Sequence, residues 1–179
     1  MNLNNETKLK KYFAALICGF GAGVLQIVPF VKSFSCCMIL PLAAFIALIL
    51  DQRATSNFDK IPMKKALLFG LFTGLSAALF GSFFELFITF ITKHNDVIAS
   101  FTDLQRIVQN LPLSEEIRKE ILNLFQSVRE DIIQNGFSLL YTFSVIVNNF
   151  IVNSIFGSVG GLIGAQIINS RLNNQSRSS

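Results

Sequence analysis

From Ala66 to Thr92 the chain reads ALLFGLFTGLSAALFGSFFELFITFIT, with one ionisable side chain, Glu85, and no proline. An unbroken apolar run of this kind exceeds the roughly 20 residues that cross a hydrocarbon core about 30 Å thick. In such a medium every backbone polar group must be satisfied internally, so the run must be helical. Gly70, Gly74, Ala77, Ala78, Gly81 and Glu85 recur at steps of three and four and therefore share one helix face. Small side chains on one stripe let a second backbone approach closely, and a carboxylate on that stripe points toward a neighbouring helix instead of lipid.

Three further apolar runs follow the same logic. Charged residues make up 15% of the 179-residue chain, against about 25% in soluble domains, and nearly all of them fall outside these runs. The expected organisation is a basic tail over residues 1–11, spans over about 12–31, 33–50 and 66–92, a polar segment over 93–136, a fourth span within 137–169, and a polar tail over 170–179. Lys8, Lys10 and Lys11 ahead of an apolar stretch look like a signal sequence, but no A-x-A cleavage site follows, so a retained first helix is expected. Lys32 to Ser35 reads as a tight turn that returns span two antiparallel. Pro29 lies near the far end of span one, and Pro41 is expected to kink span two.

Lysine and arginine sort to one side. With the N-terminus inside, Lys8, Lys10, Lys11, Arg53, Lys60, Lys64, Lys65, Arg171 and Arg177 are cytoplasmic. Lys32, Lys93, Arg106, Arg118, Lys119 and Arg129 lie outside, five of these in a segment that also carries seven acids. The bias is expected to place both termini in the cytoplasm. The net charge of +4 therefore belongs to membrane orientation, and nucleic-acid binding is not expected.

The segment 93–136 reads as two amphipathic helices. Asn95 or Asp96 can cap the first, whose apolar face is Val97, Phe101, Leu104, Val108 and Leu111. Ser114 can cap the second, with Ile117, Ile121, Leu124, Phe125, Val128 and Ile132 on one face and Gly136 as its stop. Two one-sided helices joined at Leu111-Pro112-Leu113 bury their stripes against each other or against a partner. Five acids against three bases on the second helix argue against attraction to anionic headgroups.

The fold class is thus all-α: an integral membrane four-helix bundle with an extracytoplasmic helical hairpin between spans three and four. Gly19, Gly23, Gly70, Gly74, Gly81, Gly157 and Gly161 are expected to be helix-packing positions. Gly21–Pro29 (GAGVLQIVP), Cys36-Cys37 and Gly157–Ile167 (GSVGGLIGAQI), with an amphipathic segment before the last, resemble a group of uncharacterised prokaryotic four-span membrane proteins. The resemblance implies an architecture and no activity.

A polar intramembrane cluster is the candidate site: Glu85, Gln26, Asn148, Asn149 and Asn153, with Lys32 as counter-charge. An acid inside a membrane is costly and points by default to function. The competing reading places Glu85 near enough to the interface to reach water, or protonated and hydrogen-bonded. Asn149 and Asn153 can line a solute path or glue helices together. His94 reads as a solvated turn residue. Cys18 and the Cys36-Cys37 pair lie at different depths, adjacent cysteines bridge only with strain, and no ligand spacing is present. No catalytic constellation, metal or cofactor is expected. The expected role is non-enzymatic: a subunit or scaffold whose partners are the lipid bilayer and a second copy or another membrane protein. The alternative is a small oligomeric transporter or channel subunit using the intramembrane glutamate.

Overall fold

The protein is all-helical in a computed structural model that describes residues 3–178; the side chains of residues 3–11, 29, 30, 33, 35, 36, 96 and 175–178 lie outside that description. The order is α1 (Leu3–Leu25), α2 (Pro29–Phe34), a π-helical turn (Ser35–Ile39), α3 (Leu40–Thr55), α4 (Met63–Thr92), α5 (Asp96–Ala99), α6 (Phe101–Asn110), α7 (Glu115–Asn135) and α8 (Leu139–Ser178). By length and composition three helices can cross a membrane: Cys37–Thr55, Met63–Thr92 and Leu139–Asn174. The apolar part of α1, Tyr12–Leu25, is shorter.

Several local features differ from the sequence expectation. The first helix stops at Leu25, and the chain turns at Gln26–Val28, not at Lys32–Ser35. Pro29 accounts for this: it has no N–H to continue the ladder and it disfavours helical geometry in the residue before it. Lys32, expected at an outer turn, lies inside α2 and is half-buried. Pro41, expected to kink span two, occupies the first turn of α3, directly after the π-helical turn. The wider turn sits where a proline would otherwise remove a bond and clash with the carbonyl four residues back. Helix also runs through both expected tails, from Leu3 at one end and to Ser178 at the other. No proline or glycine follows Gly164 to stop α8.

The chain forms two compact units, one of residues up to Phe83 with those from Ile146 onward, the other of Phe84–Val145. In the first unit four rods close a ring. Helix α1 packs on α3, α3 on α8 through Gly160 and Gly164, α8 on α4 through Gly157 and Gly161, and α4 on α1 through Gly19 and Gly23. Its interior is made largely of small side chains: Ala15, Ala22, Ala43, Ala47, Ala66, Ala77 and Ala165, with Leu40, Leu48, Ile61 and Phe69 filling between them. Its exterior is apolar as well, with Phe13, Phe20, Leu42, Ile46, Phe72, Leu79, Ile155 and Ile163 all exposed. Rods apolar on every side belong in a membrane.

In the second unit the core is Val128 and Ile132 of α7 against Leu86 of α4, Tyr141 and Val145 of α8, and Val97 and Ile98. Asn95 accepts from the Ile98 N–H at 2.9 Å, and Ser114 accepts from the Ile117 N–H at 3.4 Å, with Glu115 and Glu116 in the first turn behind it. Gly136 ends α7 in the left-handed region, at φ 73°.

Candidate functional site

The glycine stripes fix how close the rods come. A Cβ on Gly70 or Gly74 would land on the backbone of Gly157 or Asn153, and one on Gly161 would land on the Ala66 carbonyl. On the other seam of α4, a Cβ on Gly19 would stand 2.5 Å from the Thr73 carbonyl oxygen, and one on Gly23 3.0 Å from that of Ala77. The atoms in the way are main chain, so they cannot swing aside. Gly81 instead faces the side chain of Gln26, which would stand 3.0 Å from an added Cβ. Gly157 and Gly161 face α4, whereas Gly160 and Gly164 face Pro41 and Phe45 of α3. One helix thus carries two glycine rows for two different neighbours.

Between these seams sit the polar side chains. Gln26, in the turn that ends α1, donates from Nε2 to Asn153 Oδ1 at 2.8 Å, and Asn153 Nδ2 donates back to Gln26 Oε1 at 3.4 Å. The two amides are thus each other's donor and acceptor across the ring, and Asn153 is 2% exposed. Asn149, one turn earlier on α8, donates to Ser82 Oγ of α4 at 3.0 Å. Ser76 Oγ donates to the Leu16 carbonyl of α1 at 3.0 Å, and Thr73 Oγ1 turns back to the Phe69 carbonyl of its own helix. These bonds pair polar side chains that would otherwise lie unpartnered between apolar helices.

The expected cluster is only partly assembled. Gln26 and Asn153 meet, and Asn149 meets Ser82. Asn148 is exposed on α8, one residue before Asn149 and so about 100° round the helix from it. Glu85 belongs to the second unit, where it is half-buried and accepts from the Tyr141 hydroxyl at 3.3 Å. His94 is exposed, Cys18 and Cys37 are free thiols, and Cys36 lies outside the described side chains. No group of three or more His, Cys, Asp or Glu side chains able to hold a metal ion occurs among the described residues.

Sequence reasoning missed a second polar group, at the other end of the first unit. Asp51, 3% exposed at the end of α3, forms an ion pair with Lys65 at the start of α4. Lys65 Nζ also lies 5.6 Å from the centre of the Phe69 ring, which packs on Tyr12. Gln52 is buried and donates to the Asp59 carbonyl at 3.2 Å. The Asn169 amide clasps one residue of the α3–α4 loop, accepting from the Ile61 N–H at 2.8 Å and donating to the Ile61 carbonyl at 3.0 Å. An acid closing one apolar run and a base opening the next were visible in the sequence as a pair. Nothing there singled out Asn169.

Several of the site's polar side chains are engaged with each other between backbones in contact. No protein-family model matches the chain, nor does any curated protein or solved structure.

Proposed function

We propose that the chain is a non-enzymatic, four-span protein of the bacterial plasma membrane, with both termini cytoplasmic and residues 93–136 outside, acting as a subunit or scaffold through helix–helix contacts. The observation that carries this reading is the reciprocal amide pair of Gln26 and Asn153 between glycine-lined backbones. A solute path needs polar groups turned toward a passing ligand, whereas these two amides are turned toward one another. The first span is the least ordinary part. The 14 apolar residues of Tyr12–Leu25 cover about 21 Å at 1.5 Å per residue. A short span of this kind is accommodated by local thinning of the bilayer or by association with longer neighbours.

Glu85 fits the same reading. It lies about 29 Å along α4 from Ala66, at the far boundary of a hydrocarbon slab about 30 Å thick. A carboxyl there, bonded to the Tyr141 hydroxyl, suits an interfacial anchor better than a mid-membrane carrier site.

Two measurements on purified protein test the proposal. In proteoliposomes, proton and small-ion flux is expected to equal that of protein-free vesicles and to be unchanged by Glu85→Gln. In mild detergent, light scattering is expected to give a mass above one copy, or a stoichiometric membrane partner is expected to co-purify. Flux that Glu85→Gln abolishes would overturn the scaffold reading in favour of a transporter.

A further inference from the structure

At the end of the first unit where α3 leads into α4, two cross-links hold three helices together. The buried Asp51 carboxylate pairs with Lys65, joining the end of α3 to the start of α4. The Asn169 amide holds Ile61 of the intervening loop against α8. Four bases stand one or two residues from these links: Arg53 and Lys64 beside the ion pair, Lys60 and Arg171 beside the clasp. All four are exposed, and none is in an ion pair among the described residues.

Charge at this end is not balanced from within. In residues 51–65 and 166–174 the acids are Asp51, taken up by Lys65, and Asp59, which is exposed. Four exposed bases against one exposed acid leave an excess of positive charge. The first turn of α4 carries Lys64 and Lys65 and no acid, although the N-terminal end of a helix is itself positive and favours anions. Asp51 answers Lys65, whereas no described acid pairs with Lys64.

The apolar run sets the level of these bases. Lys64 lies just ahead of the stretch that begins at Ala66, which puts it at the boundary of the hydrocarbon slab, among headgroups. Phe58 and Met63, in the same stretch of chain, are 61% and 58% exposed. Large apolar side chains among cations suit a lipid interface, where they reach the acyl boundary while the charges stay beside phosphates. A soluble anion would leave them in water.

We propose that Arg53, Lys60, Lys64 and Arg171 form a binding surface for the phosphodiester headgroup of an anionic phospholipid, with Phe58 and Met63 against its acyl chains. This rests on the membrane reading of the apolar helices, and on neither the scaffold role nor the sidedness of the termini.

The test uses the full-length chain in an uncharged detergent, titrated with phosphatidylglycerol or with phosphatidylcholine of identical acyl chains. Bound lipid is counted by native mass spectrometry, and the midpoint of thermal unfolding is followed in parallel. Phosphatidylglycerol is expected to bind at least about tenfold more tightly, the equivalent of about 1.4 kcal/mol, and to raise the midpoint further at equal concentration. The variant Arg53→Gln/Lys60→Gln/Lys64→Gln/Arg171→Gln is expected to bring the two lipids to within about twofold of each other. Its positions are exposed, so its lipid-free melting should match the parent. Arg53→Lys/Lys60→Arg/Lys64→Arg/Arg171→Lys should keep the preference, as should Arg106→Gln/Lys119→Gln on α6 and α7. Equal affinity of the parent for the two lipids, or a preference that survives the glutamine variant, would overturn the proposal. So would a preference that the α6–α7 variant abolishes as well, or a shift with soluble glycerol 3-phosphate as large as with the lipid. Binding of neither lipid would overturn the membrane reading along with it. Vesicle flux and detergent mass bear only on the scaffold reading, so either proposal can fail while the other stands.

Discussion

The two units of the molecule hold together by different means. In the ring of α1, α3, α4 and α8 the contacts are made where side chains are missing: Gly70 on Gly157, Gly74 on Asn153, Gly160 on Pro41. In the Phe84–Val145 unit they are made where side chains are large, with Val128 and Ile132 against Leu86, Tyr141 and Val145. The contrast is the one expected if, as proposed, the first unit meets lipid and the α5–α7 segment meets water. Lipid tails are as apolar as leucine, so burying leucine gains little there, and close backbone approach with interhelical hydrogen bonds carries the association. Against water, burying an apolar stripe contributes about 25 cal/mol per Å², so bulk is favoured.

Substitutions sharpen the contrast. The largest effect is expected for Gly74→Leu, whose side chain meets the Asn153 main chain. We expect a loss of about 3 kcal/mol or more, enough to separate α4 from α8, read by thermal unfolding in detergent. Gly21→Leu is its control. A Cβ at Gly21 meets nothing within 4 Å, so its melting should match the parent within about 0.5 kcal/mol. If both glycines respond alike, seam packing is not what holds the ring.

Next in size is Ile132→Ala, which empties the centre of the second unit and should cost about 2–4 kcal/mol. Hydrogen exchange is expected to speed in α7 and leave the glycine-seamed segments protected. Uniform loss of protection would mean that the two units unfold as one.

The smallest effect is expected from the amide pair. Gln26→Leu and Asn153→Leu should each cost about 1 kcal/mol, because each leaves the other amide without its partner in an apolar setting. The double variant should cost less than the two together, and that non-additivity is the signature of direct coupling.

Much of this was legible from spacing. The glycine positions that form the seams recur at three and four, and Ser114 and Gly136 carry the residue types that cap and stop α7. The bend after α1 was misplaced because Pro29 and Pro41 each permit a break, and local sequence does not say which residue before Pro29 yields. The assignment of glycine rows to neighbours was not legible, since Gly157 and Gly160 differ only in which helix happens to stand opposite. Asp51 reads as the start of a polar loop, and only the return of Lys65 beside it explains its burial. In the candidate cluster, residue type identified Gln26 and Asn153, but pairing two residues 127 positions apart required the tertiary structure.

The clasp between Asn169 and Ile61 has its own consequence. A carboxamide is the side-chain group that reproduces the face of a peptide bond, offering hydrogen and lone pair side by side, so the linker between two rods is stitched to a third as if to a strand edge. Spontaneous deamidation at 169 would leave an aspartate that can take up the N–H of Ile61 but repels its oxygen. A change of one mass unit on an otherwise intact chain would thereby unfasten the linker while the helices around it stay in place.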